Sequence, residues 1–232
     1  IGNIGNIGNR RSNISIVMPG NIRSNCVMRS TSVSTNLLFF ALPQFVCSFG
    51  WSIETLNYRL LTKIDDVEIR SYSEHLLATV KVESGFNRAG YSAFRDLFDY
   101  ISGNNQDKQK IAMTAPVIQS PTEKGWAVSF VMPEMLLSRG MPEPQSNQVV
   151  QEKIESRLMA AVQYSGSWRE SKFLKHKDIL IETIKKTEYR ICGPVLWARY
   201  NPPFSLPFMR RNEVIAQVCK GAIGQNSEDS DG

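Results

Sequence analysis

The segment HLLATVKVESGF, residues 75–86, is answered 82 residues later by RLMAAVQYSGSW, residues 157–168. The two align without a gap. Leu76 meets Leu158, Ala78 meets Ala160, Val80 meets Val162 and Phe86 meets Trp168. Each is an apolar run of strand length that breaks at a Ser-Gly turn. Each is then followed by a helical pattern. In NRAGYSAFRDLFDYISGNN, the apolar residues Tyr91, Phe94, Leu97, Phe98 and Ile101 share one helix face, and Gly103-Asn104 supplies a C-terminal stop. That predicts a helix over 88–102. A second is expected over about 170–186, with Phe173, Leu180 and Ile184 inward.

Two strands close each half. In the first they are KIAMTAPVIQ (110–119) and WAVSFVMP (126–133); in the second, GPVLWARY (193–200) and NEVIAQV (212–218). Ahead of the first unit, YRLLTK (58–63), the Asp65-Asp66 turn and VEIRSY (67–72) read as an antiparallel meander, and 134–148 reads as a loop. The expected fold is therefore α+β: a distorted β-barrel from a duplicated β-β-α-β-β unit with two flanking helices and a pseudo-twofold. One unit alone leaves a sheet face and edges uncovered, whereas two can close a strongly curved sheet. A groove beneath a helix, or between the halves, is the default ligand site.

Composition sets the class. The chain of 232 residues is 42% hydrophobic and 21% charged, which is ordinary for a globular protein. The net charge of +5 belongs to residues 1–53, which hold four arginines and no Lys, Asp or Glu. The rest carries 23 basic against 22 acidic residues, so the basic balance does not argue for nucleic acid, and no nucleic-acid partner is expected. Residues 1–53 are expected to be a leader, 54–220 the body and 221–232 a disordered tail. The leader opens on a repeated IGN. From Met28, a plausible start, it runs through Arg29 and a polar stretch into an apolar block, Leu37–Phe49. That is the layout of a secretory signal peptide, and it implies export to the periplasm; an organelle transit peptide, plastid included, is the alternative. The body holds no transmembrane span. Cys192 and Cys219 lie in the body, and sequence leaves their pairing open.

Groups for bond-making are few. The two histidines, His75 and His176, accompany no HExxH, GxSxG, P-loop or dinucleotide motif. A non-enzymatic protein is expected, with both histidines solvated or capping. Two stretches stand out instead. KIAMTAPV (110–117) is either a core strand or one wall of a pocket, with Ile111, Met113 and Ala115 on one side. RYNPPFSLPFMRRNEV (199–214) holds Phe204, Leu206, Phe208 and Met209 in a proline-stiffened loop, either a lid on the barrel or an aromatic flap over an apolar ligand, with Arg210 and Arg211 available to carboxylates.

These stretches, with YRLLTKIDDVEIRSY, GNNQDKQKIAMTAPV and VSFVMP, resemble the SOUL family of haem-binding proteins over about residues 54–219, in the form of its bacterial and plastid branch. The resemblance implies a distorted barrel of a doubled unit, related to gyrase-inhibitor-like domains. It also implies reversible, non-covalent binding of haem b or another tetrapyrrole in an apolar cleft beside the first helix, with no other metal ion. Positions where animal members place basic groups for the propionates fall here at Tyr91, Asp99 and Ser205, none of them basic. Bases would then come from Arg95, Lys108, Lys110 or Arg210. The planar ligand is expected against Tyr91, Phe94, Phe98, Met113 and Val117, under a flap carrying Phe204 and Phe208. Met113, His75 or Tyr91 are the candidate iron ligands, if a side chain ligates at all. A small-molecule or amphiphile sensor of the same fold, without haem chemistry, is the alternative. The sequence leaves the oligomeric state open.

Overall fold

The computed structural model describes residues 53–221. The leader's signal-peptide and transit readings, and the tail beyond Gly221, lie outside the described residues. The elements run β1 (Tyr58–Ile64), β2 (Val67–Tyr72), β3 (His75–Val82), α1 (Phe86–Ile101), β4 (Val117–Thr122), β5 (Gly125–Val131), a single turn α2 (Leu136–Arg139), β6 (Val149–Ile154), β7 (Arg157–Tyr164), α3 (Glu170–Ile184), β8 (Tyr189–Arg199) and β9 (Asn212–Lys220). This is the α+β class expected.

All nine strands join one antiparallel sheet in the order β1-β2-β7-β9-β8-β4-β5-β3-β6. Exchanging β2–β5 with β6–β9 maps the ladders onto themselves: β2 pairs with β7 as β6 pairs with β3, and the β4–β8 ladder joins the halves at the centre. No ladder joins the end strands β1 and β6, so the barrel stays open along that seam.

The helices cover one sheet face. Alternation along β3 and β5 sends Ala78, Val80, Val128 and Phe130 to that face, where Ala89, Ala93, Leu97, Tyr100 and Ile101 of α1 pack on them. Ala89 and Ala93 bring the helix backbone close to the sheet. Under α3, Phe173, Leu180 and Ile184 pack on Val67, Ile69, Val162, Trp197 and Val214. Full burial of each Leu, Ile or Phe contributes roughly 1.5–3 kcal/mol. Phe86, the first residue of α1, turns into the second core, where its ring stacks on Trp197 at 4.6 Å and on Phe173 at 5.3 Å. It thereby draws the helix start two residues ahead of the expected one.

Three sequence expectations are corrected: Leu97 and Ile101 of α1 face the core while Tyr91, Phe94 and Phe98 face out, α2 forms a helical turn inside the expected loop 134–148, and the strand expected over 110–119 starts late. KIAMTAPVIQ is not a strand throughout; β4 begins only at Val117. The backbone before it is committed elsewhere: the Ile111 amide donates to Ile101 O and the Ala115 amide to Glu54 O, both at 2.8 Å. Pro116 has no amide to offer a ladder. Ile111 and Ala115 are nevertheless buried, so the stretch is core.

The inner face of the sheet holds a charged network. On β2 the alternation that buries Val67 and Ile69 under α3 turns Arg70 inward, where it is buried. Its Nη1 and Nη2 donate to the Glu213 carboxylate at 2.8 and 3.1 Å, and Nη1 also donates to Tyr72 Oη at 2.9 Å. Tyr200 Oη donates to Glu213 at 2.9 Å and Arg211 Nη2 at 2.8 Å. Burial opposes charge on Glu213, but the Arg70 and Arg211 guanidiniums overcome it and hold the carboxyl below the usual carboxylate range. Cys192 and Cys219 form a disulfide between β8 and β9, with Cα atoms 6.0 Å apart.

Candidate ligand-binding face

Helix α1 is apolar on both sides. Its inner side is the core contact just described; its outer side carries Tyr91, Phe94 and Phe98, which are 74%, 43% and 49% exposed. Spacing of three and four residues places the three along one ridge. Phe94 stacks on Phe98 with centroids 5.6 Å apart and planes 14° apart, and meets Phe130 edge-on at 5.5 Å. Phe94 is thus propped from beneath by the sheet while its outer surface meets solvent. Met113 and Val117 are half-buried and pack against the core cluster that α1 shares. Arg95, Lys108 and Lys110 are exposed.

The proline-rich loop between β8 and β9 presents Phe204 and Phe208, which are 86% and 73% exposed. It is braced from behind. Arg210 Nε donates to Ser205 O at 2.9 Å, its Nη2 to Pro203 O at 2.7 Å, and its guanidinium lies 4.5 Å from the Trp168 ring centroid. Arg210 is therefore spent on holding the loop. Trp168 is fixed by its indole N–H, which donates to Asn212 Oδ1 at 2.9 Å.

The structure links these two regions through a residue the sequence reading passed over. Arg199, at the end of β8, places its guanidinium over the same Trp168 ring at 5.2 Å and against α1 at Gly90, beside Tyr91. The available sequence signal was Gly90 itself, a glycine inside a helix with no turn to explain it.

His75 stands apart. On β3, Ala78 and Val80 face α1, while His75, Leu77 and Thr79 face the opposite side. There they line a cavity of about 230 Å³ together with Ile118, Arg157, Met159 and Ile215. Strands from both halves reach this cavity, which requires the sheet to curl around it. His75 Nδ1 lies 2.8 Å from Ser73 O, and burial pushes the imidazole pKa below its ordinary value. The structure therefore groups Tyr91, Phe94, Phe98, Met113 and Val117 on one side of the sheet and places His75 on the other. His176, on α3, stacks on Tyr164 at 3.9 Å with Nδ1 2.7 Å from Lys172 O. Among the described residues, no three His, Cys, Asp or Glu side chains converge as a metal cluster.

A family model described as SOUL heme-binding protein matches residues 53–217. No curated protein matches the chain. Among solved structures, the crystal structure of the EcmrR C-terminal domain superposes with a TM-score of 0.51 at 9% identity, covering 70% of this chain and 98% of that one. The cryo-EM structure of the EcmrR–DNA complex gives a TM-score of 0.51 at 9% identity, over 67% of this chain and 57% of that chain. A hydrolase from Listeria innocua gives 0.47 at 10% identity, over 68% and 94%. At such identities the likeness to EcmrR is one of fold.

Proposed function

The chain belongs to the SOUL heme-binding protein family, and from that premise we infer that it binds haem b or another tetrapyrrole non-covalently, as a carrier or buffer. The observation that carries the site is the outward aromatic ridge of α1, Tyr91, Phe94 and Phe98, with no protein layer over it among the described residues. A flat ring laid on the ridge would remove apolar surface from water on both partners. Met113 and Val117 pack against the core cluster beneath α1, and the exposed Phe204 and Phe208 of the braced loop supply a second apolar surface. The residues present fit such a group: parallel rings, and a desolvated guanidinium beside Tyr91. Bound haem would contribute its iron chemistry, with Tyr91 and Met113 the side chains nearest in kind to iron ligands on this face. The reading assigns the chain no bond-making step and no nucleic-acid partner. Export to an oxidising compartment is part of the same proposal, supported by the Cys192–Cys219 disulfide.

Haemin titrated into the protein should give a Soret band with saturable binding. In Phe98→Asp that band should be lost while the thermal melt stays near wild type. A normal titration in Phe98→Asp would remove the ridge from the site.

A second reading is favoured by one observation, the cavity of about 230 Å³ between the halves. It would make the chain a sensor of small apolar molecules or amphiphiles. Apolar dyes bound as tightly as haemin, with binding lost in the cavity-filling Ala127→Leu and kept in Phe98→Asp, would establish it.

A further inference from the structure

Among the described residues, Arg199 is a cation without an anion. Its guanidinium lies 4.6 Å from the Trp197 ring centroid and 5.2 Å from that of Trp168. Its Nη2 donates to the neutral Gln119 Oε1 at 3.0 Å, and that amide is itself anchored, Nε2 donating to Phe86 O at 3.0 Å. Its Nε is buried without a partner. Among the described residues no Asp or Glu pairs with it, whereas Arg70 and Arg211 share Glu213. Two neighbours are orphaned as well. Tyr164 Oη and the Trp197 indole N–H are buried without a hydrogen-bond partner. Desolvation pulls the Arg199 pKa down to about 10. A part-buried charge with no counter-charge and an unfilled buried donor is unfavourable, and an anion beside it would offset that cost.

Its position is as informative as its isolation. A Cβ on Gly90 would lie 2.6 Å from Arg199 Nη2 and 2.8 Å from Nη1. Glycine inside a helix is unfavourable relative to alanine; here it admits the guanidinium against the helix. Gly90, Phe94 and Phe98 follow at four-residue steps along one ridge, each step about 6 Å of rise. The guanidinium thus stands at the N-terminal end of the exposed aromatic stripe.

We propose that Arg199, with the Tyr164 hydroxyl beside it, is the subsite for a carboxylate carried by the planar ligand of α1. Nε–H and an Nη–H would donate in parallel to the two carboxylate oxygens, with the phenol as a further donor. The ligand's acidic edge then points to the start of α1 and its apolar edge runs along Phe94 and Phe98. The subsite rests on the reading of α1 as the tetrapyrrole face.

The test uses the full chain with protoporphyrin IX and its dimethyl ester, followed by the Soret band and by quenching of tryptophan fluorescence. Wild type is expected to bind the diacid roughly 10- to 100-fold more tightly than the diester. Arg199→Met should lose that margin by weakening the diacid alone, and Gly90→Ala should narrow it in the same sense by displacing the guanidinium. Should Arg199→Met fail to fold, the wild-type diacid-to-diester ratio and Gly90→Ala carry the test. Equal affinity for the two porphyrins in wild type, or an unchanged margin in a folded variant, overturns the subsite and leaves the aromatic face standing. Wild type that binds neither porphyrin overturns the face and the subsite together.

Discussion

Helices α1 and α3 hold matching places in the two halves, each following the second strand of its unit and each packed on the outer face of the sheet. Their inner sides are alike, built on Leu97 and Ile101 in one and Leu180 and Ile184 in the other. Their outer sides differ. On α3 the exposed positions are mostly polar, among them Lys172, Lys175 and Glu182, which pairs at 2.8 Å with Lys185 just beyond the helix, and they include one leucine, Leu174. On α1 they include three aromatic rings. A solvated helix face stays polar unless something covers it. One scaffold position is thus used twice, once as plain structure and once as structure that also offers a surface. The second half carries the covalent tie, Cys192–Cys219, and the first carries the open face.

The comparison can be broken at its inner sides first. Leu97→Ala and Leu180→Ala should each cost about 2–5 kcal/mol in chemical denaturation, since both side chains are fully buried. A small effect at one and a large effect at the other would show that the halves do not share the load. Next is the tie. Cys192 and Cys219 are 27 residues apart, and opening that loop with Cys219→Ser should cost roughly 3–4 kcal/mol by chain entropy. Unchanged stability under reducing and oxidising conditions would contradict it.

A pH scan separates two groups on the inner face. Burial lowers the His75 pKa, so the folded chain takes up that proton less readily than the unfolded one. Its stabilising effect is full above the unfolded imidazole pKa, about 6.5, and is lost as pH falls below that value and through the lower folded one. Melting temperature should decline as pH falls below about 6.5, and His75→Gln should flatten that decline. Glu213 acts in a lower window: its pKa is held below the carboxylate range, so its contribution persists above about 4.5 and fades only in more acid solution. Identical slopes in wild type and His75→Gln would remove His75 from the account. The smallest effect belongs to the outer sides. Phe98→Asp and Lys175→Asp should each shift stability by no more than about 0.5 kcal/mol, yet only the first should abolish haemin binding.

Much of the frame was legible because it rests on local period. Apolar alternation at 67–72 and the apolar run at 75–82 located β2 and β3 to the residue, and the helical spacing of Phe94, Leu97, Phe98 and Ile101 located α1. The start of β4 was misread because apolar content does not reveal which carbonyl an amide will meet: Ile111 and Ala115 bond to Ile101 and Glu54 rather than to a neighbouring strand. Spacing gathers Tyr91, Phe94 and Phe98 on one ridge, but it does not say that Leu97 faces in while they face out.

Composition, periodicity and the internal likeness of 75–86 to 157–168 determined the α+β class and the order of elements, since each depends on interactions a few residues apart. Only the tertiary structure decided which charges meet. Arg70 and Glu213 are 143 residues apart and find each other through the β2-β7-β9 ladders, while Arg199 arrives beside Gly90 with no carboxylate of the described residues paired to it. Coulombic pairing acts over a few ångströms of space whatever the separation along the chain, and that distance exists only once the sheet has curled.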